Sequence, residues 1–316
     1  MIWTLRRPDA YGSGYRSCWT GRKAFRYGAA SLLAALAVAV QPVQAGACVN
    51  WNTFPSPPLL WKISGPRGHT GFLLGTMHSD APAVLAAAPR VQPLLARAQV
   101  FVMETRLNPA AVLTLTADMH LRRGHLETLI GSRLYARAAD ALAHQGIAPG
   151  LLQGLKPWAA MLLLGSPISH GPVLDAVLAE DAARRGLRVV GLETTSEQIQ
   201  VLNQLPLSVQ KDLLRQALDE HRGRDYRQLL QAYLGDNLRT LVAVADRDQN
   251  QPGDQLFYRR LLHDRNQRMA RRSLAVLQNQ RAFIAVGALH LPGLLRRLDA
   301  AGYCAAPVLS DRKQTE

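Results

Sequence analysis

The stretch Ala282-Phe283-Ile284-Ala285-Val286-Gly287-Ala288-Leu289-His290 is an uncharged apolar run that halts at a glycine and, after two more residues, delivers an imidazole. Short apolar runs bounded by Gly or Pro read as buried strands. Gly71-Phe72-Leu73-Leu74-Gly75-Thr76-Met77-His78 repeats the same grammar: β-run, glycine, two residues, histidine. Glycine lets the backbone turn sharply off a strand, so that each imidazole faces back over the sheet edge. Two further runs, Val100 to Glu104 and Leu187 to Gly191, lead into carboxylates at Glu104 and Glu193. In open α/β sheets the crevice beyond the strands' carboxyl ends is where ligands bind. His78, Glu104, Glu193 and His290 are therefore expected on one rim.

Working outward, Leu60 to Ser64 and Gly71 to Gly75, joined through Gly65-Pro66-Arg67-Gly68, predict an N-terminal hairpin. A weaker strand falls near Ala306 to Leu309. Helical spacing covers Val84 to Ala98, Ser132 to Gln145, Pro172 to Arg185, Ser208 to about His221 (with Ser208 as its cap) and Asp254 to about Asn279. Gly146 and Gly186 are placed as helix C-caps. The expected fold is α/β: a central β-sheet flanked by helices, with large helical insertions at about 109–170 and 196–280, and a site at the C-terminal edge of the strands. Trp158, after Pro157, is expected to anchor a core.

The chain has 316 residues, with 37 Lys+Arg against 23 Asp+Glu. Residues 1–45 read as a secretory leader: six basic residues, an uncharged apolar run from Gly28 to Val40, and the small-residue exit Val43-Gln44-Ala45. That run is shorter than the roughly 20 residues a membrane span needs, so a stable transmembrane anchor is not expected. Ala45-Gly46-Ala47-Cys48 faintly resembles a lipoprotein box but lacks the large aliphatic residue three places before the cysteine. Residues 46–316 then form one α/β domain, periplasmic or secreted. Without the leader the net charge is +9, spread over arginine-rich faces such as Arg259-Arg260, Arg271-Arg272 and Arg296-Arg297. These charges alternate with acids, and no aromatic-interleaved basic patch is visible, so they read as a solvated surface and not a nucleic-acid interface. Cys48 and Cys304 remain, one at each end of the domain. In an exported protein they are candidates for a disulfide, the alternative being two independent thiols.

Two neutral imidazoles and a carboxylate are a familiar ligand set for a divalent metal with an open position for water. A further carboxylate can serve as general base or orient that water. The competing reading is a set of hydrogen-bonded structural residues. Spacing alone leaves both open, because the residues are scattered along the chain.

Leu60-Trp61-Lys62-Ile63, Leu74-Gly75-Thr76-Met77-His78, Val102-Met103-Glu104-Thr105, Gly191-Leu192-Glu193-Thr194 and the segment from Val286 to Gly293 together resemble the TraB/GumN family. That family is similar to the Tiki metalloproteases and, more distantly, to erythromycin esterases and ChaN-like haem-associated lipoproteins. The resemblance implies metal-dependent peptide hydrolysis with manganese or cobalt as the activating ion, and the sequence leaves the identity open among manganese, cobalt and zinc. By position it makes His78, Glu104 and His290 the metal ligands, with Glu104 also a candidate acid/base. Glu193 is implied as a second catalytic or supporting carboxylate, and Arg265 and Asn266 as residues lining the cleft. Leu289 departs from the smaller residue common before the second histidine and is expected to narrow the pocket. The alternatives are a non-catalytic periplasmic protein binding a peptide, haem or a metal (Tyr258 and Tyr303 being conceivable haem ligands), and an esterase.

Overall fold

The strands Leu60–Ser64 (β1) and Thr70–Thr76 (β2) pair antiparallel, with Ser64 opposite Thr70 and Leu60 opposite Leu74. The turn closes with Gly65 N–H donating to His69 O at 2.8 Å, and Gly68 adopts a left-handed φ of 76° that glycine tolerates. The computed structural model describes residues 51–309 apart from 67, 107, 166–170, 219–221 and 247–251. The leader, Cys48, His170 and His221 lie outside the described residues.

Four more strands complete a six-stranded sheet: Val100–Thr105 (β3), Arg188–Glu193 (β4), Ala282–Gly287 (β5) and Cys304–Pro307 (β6). The order is β4-β3-β5-β2-β1-β6, with β4, β3, β5 and β2 parallel. The expected α/β sheet is thus present, with each strand within a few residues of its place in the sequence reading. From β3 the chain leaves toward β4, whereas from β5 it leaves toward β6 on the other side. Adjacent parallel strands with diverging connections define a topological switch point, and the crevice at their carboxyl ends is open between them. Here it lies between β3 and β5.

The parallel strands carry near-continuous apolar runs because helices cover the sheet. Phe101 and Phe283 stack at 6.1 Å between centroids, and both are fully buried with Trp61, Ile63 and Leu73. The helix Leu174–Arg184 packs on β3 and β4, Arg265–Leu277 on β4 and β5, and Leu291–Ala300 on β2 and β6. A second core lies in the helical insertions, where Leu126, Leu142 and Leu152 surround the fully buried Trp158. Trp158 Nε1 and Lys156 Nζ both donate to Asn203 Oδ1, each at 2.9 Å.

Helix boundaries differ from the sequence reading where proline or a widened turn intervenes. The helix expected over 84–98 is two, Pro82–Leu85 and Ala87–Leu95. Pro89 supplies no N–H to the Leu85 carbonyl and crowds it, which breaks the ladder there. Ser208 is not a cap: it sits inside the helix Leu207–Leu218. The long helix expected from Asp254 is Pro252–Tyr258, a π-helical stretch at Arg259–Asp264, then Arg265–Leu277. Gly146 and Gly186 adopt φ of 80° and 74° just past their helices, as expected.

Candidate active site at the carboxyl edge of the parallel strands

Because β4, β3, β5 and β2 are neighbours in that order and point the same way, their ends place Glu193, Glu104, His290 and His78 along one rim. Each interstrand step is about 4.8 Å. The middle pair, Glu104 and His290, flanks the switch-point crevice.

Glu104 is half-buried near the end of β3. Its Oε1 accepts the Gly287 N–H at 2.6 Å, and its Oε2 accepts from Arg265 Nη2 at 2.5 Å. A side chain at position 287 would place Cβ 3.1 Å from that same Oε1, so glycine permits this close approach. Burial works against ionisation of Glu104. The charges of Arg265 and of His290 when protonated, with the Gly287 N–H, outweigh it and hold the carboxyl down at about 2.

His290 closes a single 3₁₀ turn, Ala288–His290, and is 4% exposed. Its Nδ1 lies 2.8 Å from Asn266 Oδ1. An amide oxygen can only accept, so Nδ1 carries the proton and Nε2 keeps its lone pair. That Nε2 stands 3.6 Å from Glu104 Oε1. Burial, countered in part by Glu104, lowers the imidazole to about 4, and His290 is neutral at pH 7. Asn266 reaches it because Gly293 has no side chain: a Cβ there would lie 2.1 Å from Asn266 Nδ2.

Glu193 ends β4 with its side chain fully buried. Arg265 Nε donates to it at 2.8 Å, and Arg268 donates through Nε at 2.9 Å and Nη2 at 2.5 Å. Arg265 thus bridges two carboxylates from adjacent strands. With its oxygens taken in this way, Glu193 acts as the clamp that aims Arg265 at Glu104. One layer out, Arg272 grips Glu197 with two 2.7 Å bonds, while Glu197 completes a capping box with Thr194. Arg272 had read as solvated surface; it is an internal partner of the helix that follows β4.

His78 reaches the same rim in a different state. Ser79 N–H donates to Met77 O at 2.8 Å, closing a three-residue turn centred on His78. The side chain is 64% exposed, with Nδ1 3.8 Å from Asp175 Oδ2. Thr76 Oγ1 holds the other oxygen of Asp175 at 2.6 Å. The two histidines share a spelling but not a backbone, because Leu291-Pro292-Gly293 starts a helix at once after His290 while Ser79-Asp80-Ala81 does not. Among the described residues no three His, Cys, Asp or Glu side chains are grouped so as to hold a metal ion. Of the expected ligands, Glu104 and His290 are brought together and His78 is turned to solvent.

Arg265 lies beside Glu104 and Glu193, and Asn266 beside His290, each within hydrogen-bond distance. Arg268, Gln198 and Asp175 also stand at the rim, Gln198 Nε2 donating to Glu104 at 3.4 Å and to Glu193 at 3.5 Å, and no local motif in the sequence marks them. Arg265, Arg268 and Arg272 follow the i, i+3, i+7 spacing of one helix face, a signal that could have found the clamp. Cys304 is disulfide-bonded. Tyr303 is buried against Gly65, and Tyr258 packs edge-on against Phe257.

An α/β sheet with a histidine and a carboxylate at its switch point places polar groups where open α/β folds bind ligands, and the comparisons give the family. The family model of the TraB/PrgY/gumN family matches residues 59–307, and the chain belongs to that family. It is also 27% identical over 295 residues to metalloprotease TIKI2 of Danio rerio, covering 74% of this chain and 57% of that protein. The chain therefore spans little more than half the length of that relative. No solved structure matches it. Among the described residues no helix is long and apolar enough to cross a membrane.

Proposed function

We propose that this chain is an exported, divalent-metal-dependent hydrolase acting on peptides. The observation that carries the reading is His290: buried, neutral, with Nδ1–H tied to Asn266 and the Nε2 lone pair 3.6 Å from Glu104 Oε1. A metal-ligating histidine characteristically donates its other ring N–H to an oxygen acceptor, which fixes its tautomer and aim. Two ligand atoms about 2.0–2.1 Å from one ion lie about 3–3.5 Å apart, close to the observed separation. Glu104 and His290 thus fit one edge of a coordination sphere. His78, exposed at the same rim, is the third ligand in this reading.

A bound divalent ion would supply Lewis acidity and a water of lowered pKa. The protein's own groups divide the remaining work. Glu104, held ionised by Arg265 and the Gly287 N–H, is suited to be an anionic ligand; a general base is better placed nearer the working pH. Arg265, fixed by Glu193, offers positive charge beside the reacting region. Relatedness to a metalloprotease supports a peptide substrate. The leader composition supports a periplasmic or secreted location, which N-terminal sequencing of the processed protein would check.

The test is metal content of the purified protein loaded with manganese, cobalt or zinc, with peptide hydrolysis measured in parallel. Stoichiometric binding lost in His290→Ala and reduced in His78→Ala supports the reading; unchanged binding in both overturns it. Glu104→Gln abolishes turnover in a hydrolase. If no peptide or ester is cleaved by the wild type, the chain is a binding protein.

A further inference from the structure

A cavity of about 420 Å³ is lined by Asn266 and Gly293, the pair that orients His290, and by Leu289 next to it in the chain. Its partly buried lining is apolar: Val242, Leu262, Leu289 and Pro292. Its exposed mouth is basic, with Arg259, His263 and Arg296, and Arg297 lies half-buried beside them. Asp246 is the one acid in the lining.

The arginines around the sheet edge sort into two groups. Arg265, Arg268 and Arg272 are all engaged by Glu104, Glu193 or Glu197. Among the described residues Arg259 and Arg296 make no ion pair and Arg297 donates only to the Gly293 carbonyl, at 3.2 Å. Unneutralised guanidinium groups over an apolar floor favour a ligand that combines an apolar body with an anionic head. The mouth is also shaped by an uncommon element: the π-helical stretch Arg259–Asp264 brings Arg259, Leu262 and His263 to the cavity and runs directly into Arg265 and Asn266. Such widened turns are rare and occur frequently at functional sites.

We propose that this cavity is a specificity pocket for peptides carrying a carboxylate close to the bond acted on, the apolar side chain entering against Leu262 and Leu289 and the carboxylate meeting Arg259 and Arg296. The proposal rests on the peptidase reading and names its substrate class. The carboxylate has two possible sources, a peptide's C-terminus or an Asp or Glu side chain, and the recognition chemistry is shared.

The experiment measures equilibrium binding of fluorescent hexapeptides to the full mature chain with chelator present, so that affinity is read without turnover. Three probes share an apolar sequence: a free C-terminal carboxylate, its C-terminal amide, and the amide with one internal Glu. A carboxylate probe binding about tenfold or more tighter than the plain amide, weakened by salt, is expected. Whichever carboxylate probe gains identifies the source. The preference should vanish in Arg259→Gln/Arg296→Gln, whose surface positions leave the melting temperature unchanged. Equal binding of all three probes, or a preference that survives the double substitution, overturns the pocket. The metal-loaded protein then separates the two claims. Cleavage without carboxylate preference removes the pocket alone, whereas preference without cleavage upholds the pocket and removes the peptidase reading.

Discussion

Gly287 donates its backbone N–H to Glu104 Oε1 at 2.6 Å, so the glycine that ends β5 fixes the carboxylate at the end of β3. The contact crosses the switch point and crowds a methyl group, which would sit 3.1 Å from the same oxygen and oblige the carboxylate to give by a few tenths of an ångström. Gly287 has φ −51° and ψ 133°, a backbone any residue adopts. Gly287→Ala therefore acts through crowding alone. It should fold, lose about 1–2 kcal/mol of stability and lose hydrolysis as Glu104 is displaced. A thermal melt and a peptide-cleavage rate check both, and a fully active variant would show that the carboxylate's placement is unimportant.

Arg265 forms ion pairs with Glu104 and Glu193 at once, at 2.5 and 2.8 Å, while the uncharged Gln198 amide reaches the same two carboxylates only at 3.4 and 3.5 Å. Arg265→Met takes the ion pair from Glu104 while Arg268 still holds Glu193, and removing one partner of this largely buried pair should cost up to about 3–5 kcal/mol. Arg265→Lys should recover little, because an ammonium cannot present the fork that reaches both strands. Urea unfolding midpoints of the two variants decide this. A lysine variant as stable as wild type would mean that charge alone matters.

Much of this arrangement was legible in the sequence. The β-run–Gly–x–x–His spelling located β2 and β5, and the carboxylates after Val102-Met103 and Gly191-Leu192 located the ends of β3 and β4. Period and punctuation suffice for that, since a buried parallel strand must be apolar throughout and must stop at a residue free to turn. They cannot report what a side chain meets once the chain has closed. The neighbour of His78 at the rim is Asp175, about a hundred residues away, and the partners of Glu193 are two arginines from a helix whose charges read partly as surface. The break at Ala86, where Pro89 withholds the N–H that would bond to the Leu85 carbonyl, is hidden from periodicity because the apolar spacing runs through it.

Asn266 and Gly293 form a lock that two unrelated substitutions should open in the same way. Asn266→Ala removes the acceptor for His290 Nδ1–H, and Gly293→Ala forces Asn266 away, since the added Cβ would lie 2.1 Å from its Nδ2. Loss of an orienting partner of this kind typically costs about 10–100-fold in metal affinity. Both variants should show such a loss in metal titrations, with His290 still present. If Gly293→Ala binds metal as wild type does, the orientation of His290 by Asn266 has no role in binding.

Cys304 is half of a disulfide, and Cys48 is the partner its place in the sequence suggests. Non-reducing peptide mapping of the mature protein should recover the Cys48–Cys304 linkage. Cys304→Ser should then lower stability by about 2–5 kcal/mol. Recovery of free Cys48 in the oxidised protein would exclude the pairing.

Acid should weaken the fold in two successive windows, the upper one belonging to His290. Its folded-state value, about 4, lies below the ordinary 6.5 because burial excludes the charged form. The unfolded chain therefore takes up a proton first as pH falls. The stabilisation is complete above pH 6.5 and drains away between 6.5 and 4, amounting to at most about 3 kcal/mol. Glu104 follows the same sign from its own range: ionised and held by Arg265 in the folded state, it contributes stability above about pH 4.5 that is lost as pH falls toward 2. Urea midpoints measured with chelator at pH 7.5, 6.5, 5.5 and 4.5 should decline steadily for the wild type. In His290→Gln they should stay nearly level down to about pH 5, because the group that takes up the proton in the unfolded chain is gone. A variant that declines in parallel with the wild type across that window would place the acid sensitivity elsewhere and contradict a buried neutral imidazole at the edge of β5.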